Sequence, residues 1–166
     1  MLRPPPIDSF VLQEVLYRVG FALWQIQELE SVLTYYLVMV HKLEPGIAQE
    51  EAEAVFEKTR KKTFGQLLGE LKGQDTVRSD LVQRLDNFVE HRNWLAHRSR
   101  GESREEVYQA HRNQELFARL DWIAKEALAI GRLLLSEHTD HLKSHGVDMI
   151  VVEKLAAATM ERWQKG

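Results

Sequence analysis

The chain has no cysteine among its 166 residues. Disulfide frameworks, thiol catalysis, zinc fingers and iron–sulfur clusters are excluded together, and a reducing cytoplasm is the expected compartment. Proline is scarce: there are four, all before residue 46, alongside nine glycines. So little punctuation favours long helices, because these two residues are the strongest breakers of local structure. No alternation of strand period runs long enough to outweigh the helical signals. Neither sign of charge dominates, since 22 Lys and Arg stand against 25 Asp and Glu for a formal net charge of −3. A globally basic nucleic-acid coat is excluded, whereas a local basic patch is not. Long hydrophobic runs are missing as well. The most apolar stretch, around Val32 to Val40, carries Tyr35 and Tyr36 and falls short of the ~20 residues of a membrane span, so no membrane partner is expected. Pro4, Pro5 and Pro6 suit neither the apolar core of a signal peptide nor a transit helix, and no targeting segment is expected. The chain also has no P-loop, Rossmann glycine fingerprint or serine nucleophile elbow, which weighs against NTPase, dehydrogenase and hydrolase chemistry.

What is present is a 44% hydrophobic composition, enough for a real core. The pattern predicts one all-α domain over residues 1–166, with residues 1–8 a proline-rich tail. Asp8 or Ser9 can cap a helix starting near Phe10. Its apolar residues Val15, Val19, Ala22, Ile26, Leu29, Leu33, Tyr36 and Val40 step by four and three, a helical stripe. A second ridge of Leu12, Leu16 and Leu23 widens the arc, so this helix is expected to meet more than one neighbour before it stops ahead of Pro45-Gly46. Residues 47–72 read as one interrupted helix or two shorter ones, acidic at Glu50–Glu53 and basic at Arg60–Lys62, in keeping with the helix dipole. Gly73-Gln74-Asp75 breaks the chain. Asp75 can cap a third helix reaching about His97, and Arg98 to Ser103 reads as a turn. A long fourth helix carries Leu116, Leu120, Ile123, Ala127, Ile130 and Leu134 and ends at Gly146. Val147 to Trp163 forms a final amphipathic helix. The expected architecture is an up-and-down bundle of four to six helices with short loops.

One residue stands out of place. On a helical wheel with Asn93 at zero, Leu81, Leu85, Phe88, Val89 and Ala96 fall between about −140° and −40°, and Arg92 falls at about −100°, inside that apolar arc. Asp86, Glu90, Asn93 and His97 form a polar stripe beside it. An unpaired guanidinium in a core costs several kcal/mol, on the order of the buried-charge penalty. Arg92 is therefore paired, with Glu30 or Glu28 as candidate partners, or it opens into a cleft or subunit interface. Residues 91–104, HRNWLAHRSRGESR, hold four arginines against one glutamate. A histidine titrating near neutral pH inside such a cluster suits a phosphate-bearing ligand.

The run Arg92-Asn93-Trp94-Leu95-Ala96-His97 resembles the Arg-polar-x-x-x-His motif of HEPN domains (higher eukaryotes and prokaryotes nucleotide-binding). Its placement near the end of an amphipathic helix, before a short turn and another long helix, matches that family. The resemblance implies an all-α bundle and a metal-independent endoribonuclease, a toxin or phage-defence effector, with no cofactor. It also implies an RNA substrate, 2′-hydroxyl attack that leaves a cyclic phosphate, and a composite site at a homodimer interface. His97 matches the proton-transfer histidine, Arg92 the phosphate-stabilising arginine and Asn93 the polar residue, expected at i, i+4 from His97 to orient the imidazole or a phosphate oxygen. Arg98, Arg100 and Arg104 are expected to hold RNA phosphates. In some family toxins a tyrosine two positions after the histidine is modified by a partner antitoxin. Here that position is Ser99, so control by tyrosine modification is in doubt, while another antitoxin protein is not. The alternative is a non-catalytic helical module that binds a nucleotide or protein partner through the same surface. A third reading is a plain oligomerising bundle in which Arg92 is only ion-paired.

Two further signals read as structural. His138, His141 and His145 are spaced H-x-x-H-x-x-x-H, which matches no zinc pattern and suits a helix-end cluster better than a metal site. Trp24, Trp94, Trp122 and Trp163 are expected in core or interface, with base stacking by Trp94 the alternative.

Overall fold

In the computed structural model, residues 7–44 and 46–165 are described, along with every side chain among them but those at 110 and 111. The proline-rich segment 1–6 and Pro45 lie outside the described residues. Helix α1 runs Ser9–His41, α2 Gln49–Arg60, α3 Phe64–Lys72, α4 Ser79–Asn93, α5 Ser99–Glu102, α6 Ala110–Ser144 and α7 Met149–Lys165. A π turn over Trp94–Arg98 joins α4 to α5, and a 3-10 turn over Glu106–Tyr108 precedes α6. No strand occurs among the described residues, so the all-α bundle is the observed class.

Helix α1 begins where the sequence places it, because the Asp8 carboxylate accepts from the Phe10 N–H at 2.8 Å and from Val11 at 3.4 Å. Such a cap contributes ~1 kcal/mol. Residues 47–72 do divide in two. Thr63 closes α3 with a capping box, its hydroxyl accepting from Gln66 N–H while the Gln66 amide oxygen takes the Thr63 N–H at 2.8 Å. Gly146 stops α6 with φ +76°, a left-handed conformation that glycine adopts without steric cost.

Helices α1 and α6 form the axis of the bundle and run parallel, since Arg18 meets Asp121 at 3.2 Å and Tyr36 meets Glu137 at 2.9 Å. Helix α4 descends alongside α6, with Arg84 bonded to Glu126 in its first half and His91 stacked on Trp122 near its end. The chain thus rises along α1, descends along α4 and rises again along α6. One continuous core joins the stripes foreseen on α1 and α6 to Phe64, Leu67, Leu68 and Leu71 of α3 and Leu81, Leu85 and Phe88 of α4.

Three expectations are corrected. Asp75 caps nothing: α4 starts at Ser79, after a turn in which Val77 packs on the core. The segment 98–103 is not a turn but the continuation of the helix to Glu102, because the π turn keeps the backbone helical past His97. The second ridge of α1 is only partly covered, with Leu23 packed on the core while Leu12 and Leu16 remain exposed. Helix α7 is amphipathic as expected but buries no residue, and it exposes Ile150, Val151, Leu155, Met160 and Trp163.

Core and uncovered helix differ sharply in what a truncation removes. Leu33→Ala empties a fully buried site and should lower unfolding stability by roughly 2–5 kcal/mol. Leu155→Ala on exposed α7 should change it by less than about 0.5 kcal/mol in dilute protein. Urea titrations followed by circular dichroism measure both. Equal losses would mean that α7 is packed in solution.

Candidate functional site

The regular helical phase of α4 places Trp94 at about +100° on the wheel, away from the apolar arc. The protein nevertheless buries Trp94, 1% exposed, together with Leu95, and leaves Ala96 and His97 exposed. The expected place of Ala96 in the apolar arc is therefore wrong. Trp94 itself keeps the regular phase, with its N–H on the Glu90 carbonyl, and is covered by α6; beyond it the helix widens into a π turn, in which the Ser99 N–H donates to the Trp94 carbonyl, five residues back. Taking one extra residue into the turn rotates the chain beyond it. Covering an indole of ~150–250 Å² is favourable by roughly 4–6 kcal/mol as an upper bound. A disturbed helical hydrogen bond costs only about 0.5–1.5 kcal/mol, so the wider turn beside the buried indole is tolerated. Arg119 of α6 lies over the indole, 3.4 Å from the ring centroid, which holds the turn by a cation–π contact. Trp94 is thus a core residue closed to base stacking. Trp122, by contrast, is half-exposed beside His91, and Trp24 and Trp163 stand in solvent.

Arg92 does not enter the core. It emerges at the rim between α4 and α1, where Glu30 Oε1 accepts from its Nε at 3.3 Å and from its Nη2 at 2.9 Å. Glu30 is one of the two partners anticipated from sequence. Asn93 Oδ1 accepts from Arg92 Nη1 at 3.3 Å. Asn93 therefore bonds Arg92 rather than His97, to which the i, i+4 spacing had assigned it. A guanidinium has five N–H groups. Three are used here, and two remain, one on each terminal nitrogen. That pair is the fork that grips a phosphate or carboxylate in bidentate fashion.

His97 is exposed, and among the described residues no hydrogen bond reaches its ring. Arg92 and His97 are five apart. In an α-helix they would be ~140° apart, whereas a turn closed by an i to i+5 bond swings the second back toward the first. Arg98 lies 3.8 Å from Glu102. Arg100 and Arg104 are exposed and have no carboxylate within bridging distance among the described residues. The Ser99 hydroxyl donates back to the Leu95 carbonyl at 2.8 Å. One chain therefore brings Arg92, Asn93 and Glu30 into bonded contact and leaves His97, Arg98, Arg100 and Arg104 exposed.

Sequence reasoning missed Arg119, His91 and Trp122 as supports of this turn. Their partners lie across two helices, and only the misplaced phase of Trp94 hinted that α4 is not regular. Burial, reinforced by nearby Arg119, holds the His91 imidazole below its ordinary value.

A second group of titratable side chains lies at the other end of the α1–α6 pair. The Tyr36 hydroxyl donates to Glu137 at 2.9 Å, and burial together with that carboxylate holds the phenol above its usual range. His41 and His138 keep buried Nε2 atoms without partners, and the His141 and His145 rings lie 4.2 Å apart. Among the described residues no three His, Asp or Glu side chains converge as metal ligands would, and no helix is long and apolar enough to cross a membrane.

No protein-family model matches the chain, and neither a curated protein nor a solved structure does.

Burial, with His141 second, lowers the affinity of His41 and His138 for protons in the folded state. As pH falls through the ordinary imidazole range near ~6.5, the unfolded chain takes up protons first. Stability is therefore complete above that range and is lost below it. The urea midpoint should be lower at pH 5.5 than at pH 7.5, and His138→Gln should narrow the gap. An unchanged midpoint in the wild type would contradict the buried-imidazole assignment.

Proposed function

We propose that the protein is a metal-independent endoribonuclease with a HEPN-like motif, a toxin or phage-defence effector that acts in the cytoplasm as a homodimer. The observation that carries this reading is the state of Arg92, which is fixed by Glu30 and Asn93 yet retains two N–H groups at the protein surface. A structural arginine needs only its carboxylate. One oriented on two sides with its outer fork left over is prepared for a third anionic partner. The exposed His97 and the nearby Arg98, Arg100 and Arg104 support an RNA phosphate as that partner.

The reaction follows from these groups. A ribose 2′-oxygen attacks the adjacent phosphorus while the bond to the 5′-oxygen breaks, leaving a 2′,3′-cyclic phosphate and a 5′-hydroxyl. A base removes the 2′-hydroxyl proton, and an acid delivers one to the departing oxygen. Arg92 stabilises the charge on the nonbridging oxygens. Each chain contributes a single His97, so two copies related by a two-fold axis supply base and acid. The uncovered Leu12, Leu16, Phe21 and Trp24 of α1 and the exposed face of α7 provide apolar surface for a second copy to cover. An antitoxin protein is the expected restraint on such an enzyme, and Ser99, bonded to its own helix, is not a tyrosine-like handle for it. The alternative, a module that binds nucleotide or a protein partner without turnover, is favoured by the absence of any hydrogen bond orienting His97 in a single chain.

RNA cleavage by purified protein in EDTA separates the two. Arg92→Ala and His97→Ala should each lower the rate by at least ~10²-fold, and light scattering should give about twice the 19.3 kDa chain mass. Equal activity in wild type and both variants would overturn the catalytic assignment. Binding of RNA without cleavage would establish the alternative.

A further inference from the structure

Glu30 has a second neighbourhood. It lines an open cleft of about 490 Å³ between α1, α2 and the turn into α3, together with Tyr35, Phe56, Arg60 and Lys62. The volume lies within the range of small-ligand sites. Because Glu30 bonds Arg92 on one side and borders the cleft on the other, the two sites share a wall.

The cleft has the parts that hold an unpaired nucleotide. Tyr35 is 56% exposed and is braced by Phe56, with ring centroids 5.0 Å apart and planes tilted by 57°. An exposed ring backed by a second ring is a fixed platform for a base, and such stacking tolerates any sequence. Positive charge stands beside it in excess. Lys62 and Lys42 both pair with the single carboxylate of Glu70, so one ammonium of the three-member group is uncompensated. Arg60 adds a guanidinium that is held only by its helix neighbour Glu57, at 3.0 Å. The acidic members do not close the cleft to a phosphate, since Glu30, Glu57 and Glu70 stand against Arg92, Arg60, Lys62 and Lys42, leaving one positive charge in excess. Glu30 Oε2 is not used by Arg92 and can accept from a base amino group.

We propose that this cleft binds the nucleotide neighbouring the one at Arg92, with its base stacked on Tyr35 and its phosphate held by Lys62 and Arg60. The inference rests on the reading of the protein as an RNA-cleaving enzyme, and it adds a substrate-positioning subsite remote from the motif. Single-stranded RNA is the substrate class it selects, because a base locked in a duplex cannot reach the ring.

Binding can be read apart from chemistry by using the full-length His97→Ala protein and a 5′-fluorescein-labelled octaadenylate in fluorescence anisotropy. Tyr35→Ala should weaken binding by about tenfold and Tyr35→Phe by less than about twofold, since the ring and not the hydroxyl provides the platform. Lys62→Gln should weaken binding and reduce its salt dependence by about one phosphate contact. A duplex of the same length should compete poorly. The far-UV circular dichroism of Tyr35→Ala should match its parent, since Tyr35 is exposed. If Tyr35→Ala binds within twofold of its parent, or if the parent binds no octaadenylate, the cleft proposal is overturned. If Tyr35 and Lys62 govern binding but the wild type cleaves nothing, the subsite stands and the endoribonuclease reading falls.

Discussion

A guanidinium that surfaces between two helices must find its counter-charge across the gap, and Glu30 of α1 provides it for Arg92 of α4. Both side chains are partly open to water, so the pair contributes little to stability, on the order of 0–1 kcal/mol. Its contribution is geometric. With Nε and Nη2 on one carboxylate oxygen and Nη1 on Asn93, the planar group is fixed on two sides and is partly open to water. Preorganised charge of this sort is what a phosphoryl transition state requires, because little reorientation remains to be done during reaction.

The π turn fulfils the complementary requirement. Trp94 and Leu95 belong to the core, and His97 must reach solvent. In a regular helix Ala96 would share the apolar arc with Arg92, and it is exposed instead. The π turn from Trp94 onward shifts the phase of the residues after it, and Arg119 of α6 closes over the indole at its start. The core formed by α1, α4 and α6 is thus coupled to the motif by the same segment that carries the motif. Beyond it, Arg100 and Arg104 stand exposed without a carboxylate partner among the described residues, while Arg98 lies 3.8 Å from Glu102.

Much of this fold is written in local pattern. The four-and-three stepping on α1 and α6, the Asp8 cap and the Gly146 stop each depend on neighbours in sequence, and each is found where the pattern puts it. The start of α4 and the turn after His97 were misread for the opposite reason. Val77 is drawn into the core and Trp94 is buried by contacts from distant helices, which outweigh the local signals at Asp75 and Arg98. Amphipathic patterning likewise identifies the apolar faces of α1 and α7 without revealing what covers them. At the site, Arg92 was legible because a charged residue in an apolar arc is costly. The choice of Glu30 over Glu28 is set by how α1 is rotated, and Asn93 turned to Arg92 because their side chains meet at the rim.

The chemistry of the cleaved ends tests the central claim most directly. Single-stranded RNA incubated with the wild-type protein in EDTA should yield fragments bearing 2′,3′-cyclic phosphate, visible as a distinct phosphorus resonance, and 5′-hydroxyl partners that a kinase can label without prior dephosphorylation. Fragments ending in 3′-hydroxyl and 5′-phosphate, or RNA left whole, would contradict it.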